Sequence, residues 1–159
     1  MRAANDDEFK AIYALLEARD ADRLSRPTKA EELVRLGENL QQMMKKSIEL
    51  QVSRLGDTPG NRRAAVSFCY RFFREAMGIS TASARAYIRC YEKFGDNFAA
   101  TRILTYGELN ALAGKNVSAD HINAIVRAKE ENPDMTREEL MVLFRSLTKS
   151  DREDGCDEP

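Results

Sequence analysis

The sequence predicts an all-α, multi-helix protein with a central helix-turn-helix-like hairpin, preceded by a long amphipathic helix. Three observations carry that expectation. Apolar residues recur at spacings of three and four along most of the chain, as one face of a helix requires. Capping boxes recur too, at Thr28-Lys29-Ala30-Glu31, Thr105-Tyr106-Gly107-Glu108 and Thr136-Arg137-Glu138-Glu139. In each, the threonine hydroxyl accepts from the amide three residues on, and the glutamate accepts from the amide of the threonine. Strand signals are almost absent, because no segment alternates β-branched and polar residues for long.

Taken in order, Phe9, Ile12, Tyr13, Leu15 and Leu16 predict a short helix at about 6–19. A longer helix is expected over about 29–55, where Leu33, Leu36, Leu40, Met43, Ser47 and Leu50 form a stripe. That stripe suits packing within the chain, or a dimer or partner interface through Leu33, Leu36, Leu40, Met43 and Leu50. Gly56-Asp57-Thr58-Pro59-Gly60-Asn61 interrupts the pattern and marks the expected boundary between an N-terminal extension (1–60) and a helical domain (61–149). Arg62–Met77 and Thr81–Phe94 read as consecutive helices around Gly78-Ile79-Ser80. After them, Phe98, Ile103 and Leu104 resume the core pattern, and Thr105 caps a helix with Leu109 and Leu112. Ser118 caps the next, with Ile122, Ile125 and Val126 inward and His121 at the surface or in the cap. Asn132-Pro133-Asp134 stops it, and Thr136 opens a last helix with Leu140, Val142, Leu143, Phe144 and Leu147. Residues 150–159 are polar and acidic and are expected to form a disordered tail.

Charge is segregated along the chain. The 159 residues hold 25 Lys plus Arg and 26 Asp plus Glu, a formal net charge of -1, which gives no support to a wholly basic nucleic-acid binder. Residues 61–115, however, hold 9 basic and 4 acidic side chains, and residues 116–159 hold 6 and 11. The middle of the chain is the electropositive part, and it coincides with the central helices.

Those helices have the local grammar of a helix-turn-helix unit: helix, glycine turn, apolar anchor, serine cap, helix. Gly78 suits the turn, Ile79 anchors it, and Ser80 caps the second helix. Thr81, Ser83, Arg85 and Arg89 offer hydroxyls near the start of that helix and cations farther along, groups suited to phosphates and base edges. Arg62 and Arg63 open the preceding helix, where they oppose its dipole unless an anion faces them. Arg71 and Arg74 enlarge the basic face. The commonest helix-turn-helix pattern carries Ala four residues before the turn glycine, and this chain has Arg74 there. A hairpin with no nucleic-acid contact, or one that recognises protein, fits the same grammar.

The stretch Gly78-Ile79-Ser80-Thr81-Ala82-Ser83-Ala84-Arg85-Ala86-Tyr87-Ile88-Arg89 resembles the recognition region of ParB-type helix-turn-helix proteins and of phage and plasmid proteins related to them. Ile103 to Ala113 is similar to their supporting segment, and Met135-Thr136-Arg137-Glu138-Glu139-Leu140 to a short motif near the end of the phage and plasmid group. The resemblance spans roughly 62–147. It implies duplex DNA binding, in transcriptional control or maintenance of a mobile element, and it does not carry over nuclease or nucleotide-hydrolysing activity.

The remaining residue types point away from catalysis and cofactors. One histidine and three cysteines without close pairing leave little for a metal centre. Cys69 and Cys90 read as buried small residues and Cys156 as an exposed tail thiol, so no structural disulfide is expected. Acidic clusters at Asp6-Asp7-Glu8 and at Glu130, Glu131 and Asp134 read as solvated helix ends. No phosphate-binding glycine loop, nucleophile elbow or zinc-protease motif is present. No apolar run approaches the roughly 20 residues of a membrane helix, and the N-terminus lacks a signal-peptide core. A cytoplasmic, non-enzymatic DNA-binding regulator, as a candidate homodimer, is the leading expectation. A helical protein that binds and modulates a host or partner protein is the alternative.

Overall fold

The structure is a computed structural model that describes residues 29–153. The expected helix at 6–19, the Thr28 capping box and Cys156 lie outside the described residues. Within them the chain forms seven helices: α1 (Ala30–Leu55), α2 (Pro59–Met77), α3 (Thr81–Phe94), α4 (Phe98–Ile103), α5 (Tyr106–Ala113), α6 (Ala119–Glu131) and α7 (Arg137–Glu153). No strand occurs among the described residues. None of their helices is long and apolar enough to cross a membrane.

Local chemistry explains most of the helix ends. Thr58 caps α2 by accepting from the Asn61 amide at 3.1 Å, with Pro59 in the first turn, where a missing N–H costs nothing. Thr105 and Glu108 close a full capping box on α5, Ser118 accepts from the His121 amide, and Thr136 exchanges both bonds with Glu139. Gly56–Thr58 is an ordered turn, and α2 begins at Pro59, three residues before the expected start at Arg62. The Asn61 side-chain Nδ2 donates to the Leu55 and Gly56 carbonyls, and Arg62 grips Asp57 through two bonds of 2.6 and 2.9 Å.

The described chain falls into two compact units, one of residues 39–84 and one of residues 29–38 with 85–153. The division runs inside α1 and α3, whereas composition places a boundary at Gly56–Asn61. In the first unit, Leu40, Met43 and Ser47 of α1 are buried, as are Ala65, Cys69, Phe72 and Phe73 of α2 and Ala84 of α3. Phe73 packs edge-on against both Tyr70 and Phe72. Burial pushes the Cys69 thiol up, against a hydrogen bond with Ser47.

The second unit has one continuous core. It joins Val34 of α1 to Cys90 and Phe94 of α3, Leu109 and Leu112 of α5, Ile125 of α6, and Leu140 and Phe144 of α7. Gly37 lets α1 approach α3 closely: a Cβ there would lie 2.0 Å from the Tyr87 carbonyl oxygen. Beneath the core surface a buried ion pair ties three elements together. Lys129 Nζ on α6 donates to Glu108 Oε1 on α5 at 2.9 Å and also to the Met135 carbonyl before α7. The other Glu108 oxygen accepts from the Thr105 amide.

Two expectations need correcting, at Phe98 and at Ser150. Phe98 is 77% exposed, because the six-residue α4 buries its Ala100 and Thr101 side and Phe98 falls well round the helix from it. Val142 is also exposed, two positions from Leu140 and so on the far side of α7. The His121 backbone does sit in the cap, but its ring is tucked in with Nε2 2.7 Å from Asp151 Oδ2 and Phe144 edge-on. Of the tail expected over 150–159, Ser150 to Glu153 instead continue α7, and residues 154–159 lie outside the described residues.

Candidate nucleic-acid interface

The segment between α2 and α3 is built by three residues. Gly78 ends α2 in the left-handed region, at φ 67° and ψ 22°, where only glycine rests without strain. The Gly78 and Ile79 amides both donate to the Phe73 carbonyl, and Ile79 is half-buried. Ser80 then caps α3: its hydroxyl oxygen accepts from the Ser83 amide at 3.1 Å, and its O–H donates to Ser83 Oγ at 2.9 Å. Ser80 and Ser83 thus hold the start of α3 in shape, and Thr81 beside them is half-buried.

Along α3, Arg85 and Arg89 are exposed, one turn apart, and Lys93 extends the row by another turn. Ala84, Cys90 and Phe94 are buried on the other side. Lys93 escaped the sequence reading, although its spacing of four from Arg89 is the signal that locates it. Arg89 has a local setting as well. Its Nη1 lies 3.8 Å from where a Gly114 Cβ would stand, beside the C-terminal end of α5, where carbonyl dipoles favour a cation. Close by, the Tyr87 and Tyr106 rings are 5.7 Å apart. Burial, with Cys90 and Tyr87 as neighbours, pushes the Tyr106 hydroxyl up to about 12 against the opposing effect of Arg89. Burial likewise pushes the Cys90 thiol up to about 11.

Arg62 and Arg63 sit in the first two turns of α2, at the opposite end of that helix from Ser80. At 1.5 Å of rise per residue, Arg63 and Met77 are about 21 Å apart along the axis. Both arginines are exposed. Arg62 is engaged by Asp57, whose carboxyl its hydrogen bond holds below the usual carboxylate range. The predicted contact residues therefore occupy three places: the start of α2, the cap of α3, and the exposed row of α3.

Of the apolar set considered for a dimer or partner, Leu33, Leu40 and Met43 are buried within the chain itself. Leu36 is half-buried, and Leu50 is exposed. Among the described residues no group of three or more His, Cys, Asp or Glu side chains is placed to hold a metal ion. The Glu108–Lys129 pair was not anticipated. Its signal lay in the register, since Lys129 follows Ile122 and Ile125 on the buried side of α6 at spacings of seven and four. No family model matches the chain, and searches of the curated proteins and of the solved structures find no match to it either.

Proposed function

We propose that this protein binds duplex DNA through α3 and acts as a regulator, of the kind carried by a phage or plasmid-like mobile element. One observation carries the reading: Arg85, Arg89 and Lys93 form an exposed row at four-residue spacing on a helix whose other side is buried. A row of that spacing spans about 12 Å of helix axis, comparable with the roughly 12 Å width of a major groove. The hydroxyls of Thr81 and Ser83 at the entry to α3 suit phosphate contact there, with Ser80 holding the cap. The net positive charge of residues 61–115 strengthens attraction to the duplex at a distance. The mobile-element assignment rests on the resemblance of residues 62–147 to ParB-type and phage or plasmid proteins.

Arg85→Ala is the direct test, because Arg85 opens the exposed row of α3. With preferred sites first selected from a random duplex library, the variant is expected to lose about tenfold or more in affinity for the selected site. That corresponds to the 1–3 kcal/mol of one base-reading arginine. Its far-ultraviolet circular dichroism should match the parent. Equal affinity of parent and variant for every selected duplex would discard α3 as the reading element. The second reading, capture of a protein partner through α1, is favoured by the exposure of Leu50 and Leu55 in its last turns. Leu50→Glu with Leu55→Glu should abolish such capture and leave DNA affinity unchanged.

A further inference from the structure

We infer that α2 carries a second, sequence-independent contact surface for the phosphates of a duplex, formed by Arg63, Arg71 and Arg74. The inference rests on the DNA-binding reading and extends it to a helix face outside α3. At 100° per residue, Arg63, Ser67, Arg71 and Arg74 fall within a quarter-turn of one another, and all four are exposed. The opposite side of the helix is the buried one, with Ala65, Cys69, Phe72 and Phe73. The face is therefore set by the packing of α2 and belongs to the first unit alone.

Its chemistry is one-sided. Arg62, the nearest further cation, is committed to Asp57 and lies off this face. The sole acidic residue of α2 is Glu75, which approaches Arg74 only to 4.0 Å with both side chains about two-thirds exposed, a pairing of little energy. Arg71 lies over the Phe68 ring at 5.8 Å, which limits its rotamers without using its donors. From Arg63 to Arg74 the helix rises about 16 Å, and a duplex strand places a phosphate every 3.4 Å or so of axis. Three forks can thus meet separate phosphates of one strand. Arginine suits that role because its planar fork matches phosphate oxygens. The nearest rings, Phe68 and Tyr70, are half-buried while the three arginines are exposed, which favours a duplex over an anionic membrane.

The test uses the full chain and a fluorescent duplex of about 30 base pairs, titrated by anisotropy between about 50 and 300 mM salt. The triple variant Arg63→Gln/Arg71→Gln/Arg74→Gln is expected to bind more weakly, with a log-affinity against log-salt slope shallower by about 0.9 per arginine, or roughly 2.7 in all. Its ranking of different duplex sequences should stay that of the parent, and the corresponding triple Lys variant should keep most of the parent slope. A parent-like slope in the Gln variant, while the parent binds DNA, overturns the α2 surface and leaves the α3 reading standing. A parent that binds no duplex at low salt removes both. Altered sequence ranking in the Gln variant also overturns the inference, since it would make α2 a reader of bases.

Discussion

At Gly37 a single methyl group decides how close two helices come. Alanine would normally favour the helix by about 1 kcal/mol over glycine. Here its Cβ would stand 2.0 Å from the Tyr87 carbonyl oxygen and 2.6 Å from the carbonyl carbon, both backbone atoms that cannot swing aside. The overlap outweighs the propensity, so Gly37→Ala should destabilise by about 2 kcal/mol or more. A urea titration should show a lower midpoint with an unchanged slope; a midpoint at or above the parent would mean the crossing is looser than described. The Glu108–Lys129 pair obeys a different logic. Each charge is tolerable because the other is 2.9 Å away and both are further hydrogen-bonded. Lys129→Met would leave a buried carboxylate without its cation, at a cost of about 3–5 kcal/mol. Adding Glu108→Gln should restore part of that loss while keeping an acceptor for the Thr105 amide. Strict additivity of the two changes would show that the pair is not coupled.

At the scale of the element, what the sequence made legible was local. Thr105, Ser118 and Thr136 begin helices because each satisfies an amide three residues away, and that chemistry is written within a four-residue window. Thr58 does the same for α2 but sits in a stretch that reads as a break. The Gly78–Ser80 segment is legible for the same reason, as is the four-residue spacing of Arg85 and Arg89. Non-local partners were not legible. Nothing near Ser150 announces that α7 goes on, for those residues are polar and acidic like a tail. The continuation has a partner 30 positions back in the chain, where His121 meets Asp151 on the last turn of α7. Phe98 misled for a related reason: its type favours burial, but the short α4 has only one covered side. The α7 contact gives a prediction at this scale. Asp151→Ala should speed amide exchange in residues 149–152 by tenfold or more, through local fraying. Because Asp151 is 66% exposed, global stability should change by about 1 kcal/mol or less. Unaltered exchange in that turn would show that the helix continues without the histidine.

At the scale of the whole molecule, α1 and α3 each contribute residues to both units. A helix propagates cooperatively and breaks at a cost, because each interruption demands a fresh nucleus. Unfolding one unit while the other persists would require both helices to end in mid-course, near 38/39 and 84/85. One transition is therefore expected for the described chain, and two native thiols report on it. Cys69 lies in the first unit and Cys90 in the second, each buried. Burial raises both thiols, Cys90 to about 11, so the reactive thiolate is scarce in the folded chain near pH 8. Unfolding returns both to ordinary cysteine acidity and opens them to reagent. Pulsed alkylation along a urea series, read by peptide mass spectrometry, should expose Cys69 and Cys90 at one shared midpoint. Gly37→Ala, placed in α1, should move both midpoints down together. If Cys69 became reactive at lower urea than Cys90, the units would unfold separately, and the shared helices would have to break where the division crosses them.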